Sequence, residues 1–110
     1  MERYRKLRLI RDHIVLLPGL TSYKDFDISI EIGHHEYLGT PLTLKQLLLL
    51  DIASEATVRR HLKNLIQRGL VAKVANPDDG RSVVLRLTDK AHALFDDSLN
   101  HLRQLIADLI

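Results

Sequence analysis

The sequence predicts a mainly helical domain interrupted once by a small β-hairpin, and three observations carry that prediction. Apolar residues recur at helical spacing over most of the chain. The pattern shortens to apolar alternation only between residues 70 and 87. Clusters of Gly, Pro, Asn and Asp stand where one pattern gives way to the next. With 110 residues, 45% apolar and 27% charged, the chain has the composition of one soluble globular domain rather than of a disordered segment.

The first helix is predicted over residues 3–17. Tyr4, Leu7, Ile10, Ile14 and Leu17 recur every three or four residues, with charged side chains between them, until Pro18 and Gly19 stop the pattern. A second helix is expected from Thr21 or Ser22 toward Leu38, with Tyr23, Phe26, Ile30 and His34 on one face. The β-branched Ile28, Ile30 and Ile32 suit a strand equally well. Gly39, Thr40 and Pro41 form the next break.

Thr43 and Gln46 have capping-box spacing, which opens a short helix through Leu50. Asp51, Ile52 and Ala53 leave room only for a tight turn. Ser54 then caps a helix over 55–68, with Val58, Leu62 and Leu65 on its inner face and Gly69 as its C-terminal stop. Residues 70–74 and 82–87 read as two strands around the turn-rich segment 76–80, with Val83, Leu85 and Leu87 alternating with Val84 and Arg86. Thr88 caps a last helix, whose Phe95, Leu99, Leu102, Ile106 and Leu109 form a heptad-like seam widened by Leu94, Leu105 and Ile110.

Two helices joined by a tight turn, with a hairpin directly after the second, make a winged helix-turn-helix. An α-helix is narrow enough to enter the DNA major groove, where residues near its N-terminus meet base edges. Removing the inner face of the 55–68 helix leaves Glu55, Ala56, Thr57, Arg59, Arg60, Lys63 and Gln67 on the outside, and Ser54 at its start joins them as a candidate DNA contact. Arg59 suits bidentate contact with guanine or a grip on phosphate, Arg60 and Lys63 suit phosphate, and Thr57 suits a thymine methyl or a phosphate oxygen. The net charge is only +2, so such local patches, not overall charge, carry the DNA argument.

Residues 78–91, DDGRSVVLRLTDKA, resemble the wing and following helix start of the MarR family of winged-helix regulators, with Asp79, Arg81, Leu87 and Thr88 at the family's spacing. Residues 54–71 similarly resemble its recognition helix, and the likeness runs in order from Leu20 to Ala91. The resemblance implies a transcriptional regulator with a DNA-binding core over 20–88, a wing at about 70–87, and dimerisation helices over 1–18 and 89–110. It implies that Arg81 lies on or beside the minor groove, that Asp79 steadies the wing, and that Thr57 and Arg60 contact DNA. It implies a homodimer closed by Leu7, Ile10, Ile14, Phe95, Leu99, Leu102, Ile106 and Leu109. Such a dimer would read a pseudo-palindromic duplex with half-sites about 34 Å apart. The chain departs from the family at Ala91, where a glycine is usual, and at Leu49 and Leu50, where charge is common. Exposed leucines there would instead favour a protein-interaction module without DNA binding.

Other chemistries find little support. With no cysteine there is no disulfide framework, zinc finger or thiol sensor. His34, His35 and Glu36 are adjacent, and neighbouring helical side chains diverge by about 100°, a poor chelate. Asp97, Ser98 and His101 lie on a helix rather than on a strained turn, and the five glycines make no phosphate loop. No metal, cofactor or enzymatic activity is expected, and an effector is left open. No apolar run approaches the roughly 20 residues of a membrane span, and Arg11, Asp12 and His13 break up any signal-peptide core, so a cytoplasmic protein is expected. His61 suits a phosphate contact or packing against the adjoining short helix, and packing is expected.

Overall fold

The computed structural model describes residues 2–15, 20 and 22–108. Its elements follow in the order α1 (Glu2–Val15), α2 (Tyr23–Tyr37), α3 (Leu44–Leu49), α4 (Glu55–Gln67), β1 (Val71–Ala75), β2 (Val83–Leu87) and α5 (Asp89–Ala107). This is a winged helix-turn-helix with a further helix at each end. Leu17, Pro18, Gly19, Thr21, Leu109 and Ile110, which bore on the expected helix ends, lie outside the described residues, as does the side chain of Ile14.

Local chemistry accounts for most of the boundaries. The Thr43 hydroxyl accepts the Gln46 N–H while the Gln46 side chain accepts the Thr43 N–H, so both ends of the capping box are closed. Ser22, Ser54 and Thr88 cap α2, α4 and α5 through their hydroxyls. Gly69 ends α4 at a φ of +75°, with Gly69 N–H on the Ile66 carbonyl and Leu70 N–H on the Leu65 carbonyl. That double bond is the Schellman pattern, which needs a left-handed residue at this position. The turn between α3 and α4 places Asp51 in the same left-handed region, at a φ of +57°. Aspartate adopts it more readily than most side chains do, though less readily than glycine.

The core is built where α2, α4 and the hairpin meet. Ile28 and Ile32 of α2, Leu47 of α3, Val58, Leu62 and Leu65 of α4, and Leu85 of β2 are buried together. The expected face of α2 is corrected here: Tyr23, Ile30 and His34 are exposed and Phe26 is half-buried, whereas Asp25, Ile28, Ser29 and Ile32 face the core. Two residues along a helix turn the side chain by about 200°, so Ile30 necessarily points away from Ile28 and Ile32. Both sides of α2 are apolar, and only packing selects one. The same packing makes the segment a helix despite its three β-branched isoleucines.

The hairpin is antiparallel, with Val71 opposite Leu87 and Ala75 opposite Val83. The expected inward alternation is also corrected. Val83 is exposed at the tip, while Val84 and Leu85 are both buried and Leu87 is half-buried. Leu85 joins the main core, and Val84, on the opposite side of the ribbon across from Val74, is covered as well. The Leu85 N–H donates to the Leu42 carbonyl at 2.7 Å, which fixes the hairpin to the entry of α3. Gly33 lets α2 lie close on β2, because a Cβ there would stand 2.8 Å from Leu87 Cδ1.

The end helices pack differently from the core. The first half of α5 serves the domain itself: Ala91 is buried, Leu94 and Phe95 pack against the core, and the Phe95 ring meets Phe26 edge-on at 6.2 Å. Its second half lies along α1, where His13 Nε2 and Ser98 Oγ are 3.1 Å apart and Lys6 donates to the Asp108 carbonyl. There the seam lies open. Leu102 is half-buried, while Leu99 is 60% and Ile106 47% exposed, and on α1 Tyr4 and Leu7 are exposed and Ile10 is half-buried.

The strained turn gives a direct test. Asp51→Val is expected to lower stability by about 1–2 kcal/mol, and Asp51→Gly to preserve or raise it. Equilibrium denaturation of the three proteins compares them; equal losses in both variants would show that the aspartate side chain, not its backbone, matters.

Candidate nucleic-acid interface

The outer face of α4 is exposed because its inner face is fully used. Val58, Leu62 and Leu65 recur at four and three residues and are buried, which directs Glu55, Ala56, Arg59, Arg60 and Lys63 to solvent. Ser54 and Thr57 occupy one another at the helix start: Ser54 Oγ accepts the Thr57 N–H at 3.3 Å and donates to Thr57 Oγ1 at 2.8 Å. Ser54 therefore shapes the helix end, and Thr57 is half-buried. Arg59 is held by Glu55 one turn earlier, at 2.8 Å from Nη2. An exposed pair of this kind is worth about 0.3–0.5 kcal/mol, so it aligns the guanidinium without locking it.

The wing follows from the same few residues. The Asn76 carboxamide accepts the Asp78 N–H and donates to Ser82 Oγ, both at 3.0 Å, closing the loop at its base. The Asp79 carboxylate accepts the Arg81 N–H at 3.0 Å. Arg81 is exposed on this turn, at the tip of the hairpin. The wing is in turn fastened to the end of α4, since Thr88 donates from Oγ1 to the Gly69 carbonyl at 2.6 Å and Lys90 reaches the Arg68 carbonyl at 3.0 Å.

Two residues escaped the sequence reading. Lys73 of β1 meets Arg59 and Lys63 at a cleft of about 340 Å³ floored by Leu44, Leu62 and Ile66. Nothing along the chain shows which strand residue faces α4. The second is Asp25. The partner of His61 is on α2 rather than on the adjoining α3: its Nδ1 lies 2.7 Å from Asp25 Oδ1. A carboxylate 36 positions away leaves no local signal.

The groups weighed for metal or catalysis are engaged elsewhere. Glu36 faces Arg86 at 3.4 Å and His92 at 3.3 Å. Ser98 is buried against His13, while His101 Nδ1 bonds the Asp97 carbonyl. Leu49 is 73% and Leu50 39% exposed, beside a groove bordered by Lys45, Asp51, Glu55 and Arg59.

Comparison with known proteins places this arrangement. Residues 9–98 match the family model described as transcriptional regulator SarA/Rot. The chain belongs to that family. No curated protein matches this SarA/Rot-family chain significantly. Among solved structures it is similar to a mutant MarR from E. coli complexed with operator DNA, at 21% identity and a TM-score of 0.66 over 97% of this chain and 73% of that one. It is similar to the MepR–DNA complex from S. aureus, at 16% identity and a TM-score of 0.71 over 99% and 81%. It also resembles S. aureus MepR bound to ethidium bromide, at 14% identity and a TM-score of 0.75 over 100% and 78%. These likenesses establish the MarR-type fold. Among the described residues no helix is long and apolar enough to cross a membrane.

Asp79→Ala is expected to speed hydrogen exchange at the amides of residues 78–82 with a stability loss of no more than about 1 kcal/mol. Unchanged exchange at Arg81 would show that the carboxylate does not order the tip.

Proposed function

We propose that this SarA/Rot-family regulator binds double-stranded DNA as a homodimer, with α4 in the major groove and Arg81 on the minor groove. The observation that carries the reading is the pairing of an exposed cationic helix face, Arg59, Arg60 and Lys63, with a wing fastened to that helix's own end. The division of labour is the one the fold suggests. Ser54 shapes the start of α4, Glu55, Ala56, Thr57 and Arg59 face the bases, Arg60 and Lys63 hold phosphate, and Asp79 steadies Arg81. Lys73 adds a further phosphate contact. Relatives of this fold have been solved with DNA, including an operator complex.

Residues 20–88 form the DNA-binding core in this reading. The end helices supply the dimer, because the seam of Leu99 and Ile106 stands open beyond what the core covers and the molecule extends 53 Å by 25 Å by 22 Å. Leu7, Ile10, Phe95 and Leu102 lie along the same helices, as Ile14 and Leu109 do in sequence. Two-fold symmetry then demands a pseudo-palindromic site. The chain acts by binding, not catalysis, where DNA is found in the cytoplasm. The exposure of Leu49 and Leu50 favours a second reading, in which this face of α3 binds a protein partner.

Fluorescence anisotropy with mixed-sequence duplex at two salt concentrations tests the first reading. Affinity is expected to fall steeply with salt, and Arg59→Ala/Arg60→Ala and Arg81→Ala are each expected to weaken it by about tenfold or more. No binding by the folded protein at low salt would put the protein-partner reading first. Separately, Leu99→Glu/Ile106→Glu is expected to shift sedimentation from dimer to monomer; a monomeric wild type would remove the two-fold argument.

A further inference from the structure

We propose that the buried Asp25–His61 pair is a positioning element: it fixes the rotation of α4 about its axis and so sets discrimination between DNA sequences rather than overall DNA affinity. The inference rests on the DNA-binding reading above.

Asp25 is 1% and the His61 side chain 14% exposed, and the two lie 2.7 Å apart. A carboxylate oxygen accepts, so His61 Nδ1 carries the proton and donates. A carboxylate this deeply buried persists only where its hydrogen bonds are met, so the contact is not one the side chains trade for water. Beside it, Ile28 and Ile32 of α2 share one apolar core with Val58, Leu62 and Leu65 of α4. Apolar contact is non-directional and tolerates small rotations, whereas a hydrogen bond fixes both distance and angle. Lys24, adjacent to Asp25, donates from Nζ to the Ile52 carbonyl at 3.0 Å. Consecutive residues of α2 thus hold the turn before α4 and the middle of α4 itself.

The geometry makes rotation matter. Side-chain tips lie about 6 Å from a helix axis, so a turn of about 20° moves them by about 2 Å. Bidentate contact with a base edge fails at that displacement, while long cationic side chains on phosphate follow it. Of the residues read as facing the bases, Arg59 lies two positions before His61 and Thr57 one turn before it. Loosening the pair therefore degrades recognition of sequence first.

The test uses the full chain. Wild type selects its preferred duplex from a random library, and affinity is then measured for that duplex and for a scrambled one. The variants are Asp25→Asn, His61→Gln and the two combined, with Ser29→Ala as control. Ser29 is the neighbouring buried polar residue on the same face of α2, and its hydroxyl has no hydrogen-bond partner among the described residues. Each single variant is expected to lose about tenfold in the ratio of the two affinities, the order of one lost base contact, with scrambled-duplex affinity within about twofold of wild type. The combined variant, which restores a neutral amide pair, is expected to regain part of the ratio, and Ser29→Ala to retain it. Where a single variant does not fold, the combined variant is held to the same criterion of selective loss.

An unchanged ratio in folded variants overturns the inference, and so does an equal loss on both duplexes, which would mark the pair as merely structural. Wild type that binds no duplex overturns the DNA-binding reading and this inference with it; wild type that discriminates, alongside variants that discriminate equally, overturns the inference alone.

Discussion

A helix offered to a groove must be gripped firmly from behind, because any side chain that holds it on the outer face is lost to recognition. In this molecule Val58, Leu62 and Leu65 provide that grip, entering a core made by Ile28 and Ile32 of α2, Leu47 of α3 and Leu85 of the wing. Burial of such side chains is worth about 1.5–3 kcal/mol each. The grip is strong but carries no direction of its own. Direction comes from the polar bonds at its margins: the Ser54 cap, the Schellman end at Gly69, and the Asp25–His61 bridge.

The wing depends on the same grip. Its strands leave α4 directly through Gly69 and Leu70, return through Thr88 onto the Gly69 and Leu70 carbonyls, and are tied to Leu42 at the entry of α3. Arg81 is thus carried on a hairpin whose base is part of the reading helix's own termination. The two cationic regions are joined through the bonds of Thr88 to the Gly69 and Leu70 carbonyls. The inner half of α5 completes the domain core, and the outer half, with α1 alongside it, leaves an apolar seam that the protomer does not cover.

The SarA/Rot family membership and the fold agree with a regulator, and they also make sense of the chain's modest net charge of +2. Cationic side chains are exposed on the outer face of α4 at Arg59, Arg60 and Lys63, at Arg81 on the wing, and also along α1 at Arg3, Arg5, Arg8 and Arg11. Some acids are paired locally, as Glu36 is with Arg86. Exposed Leu49 and Leu50, at the end of α3, are not used by the DNA reading, although Leu49 borders the same groove as Glu55 and Arg59.

By itself the sequence determined what local chemistry can specify. The order of helices and hairpin, the Thr43–Gln46 capping box, the caps at Ser54 and Thr88, the stop at Gly69 and the buried stripe of α4 all follow from neighbours within a turn or two of chain. Tertiary structure alone decided the rest. It chose which apolar side of α2 is inside, since Tyr23–Phe26–Ile30 and Ile28–Ile32 are comparable stripes until a core selects one. It buried adjacent residues of β2, where alternation expects every second one, because the hairpin is covered on both sides. It brought Lys73 to Arg59 and Lys63, and Asp25 to His61, across separations that no periodicity spans. Local rules act through bonds between near neighbours; a buried charge and its partner meet only once the chain has closed around them.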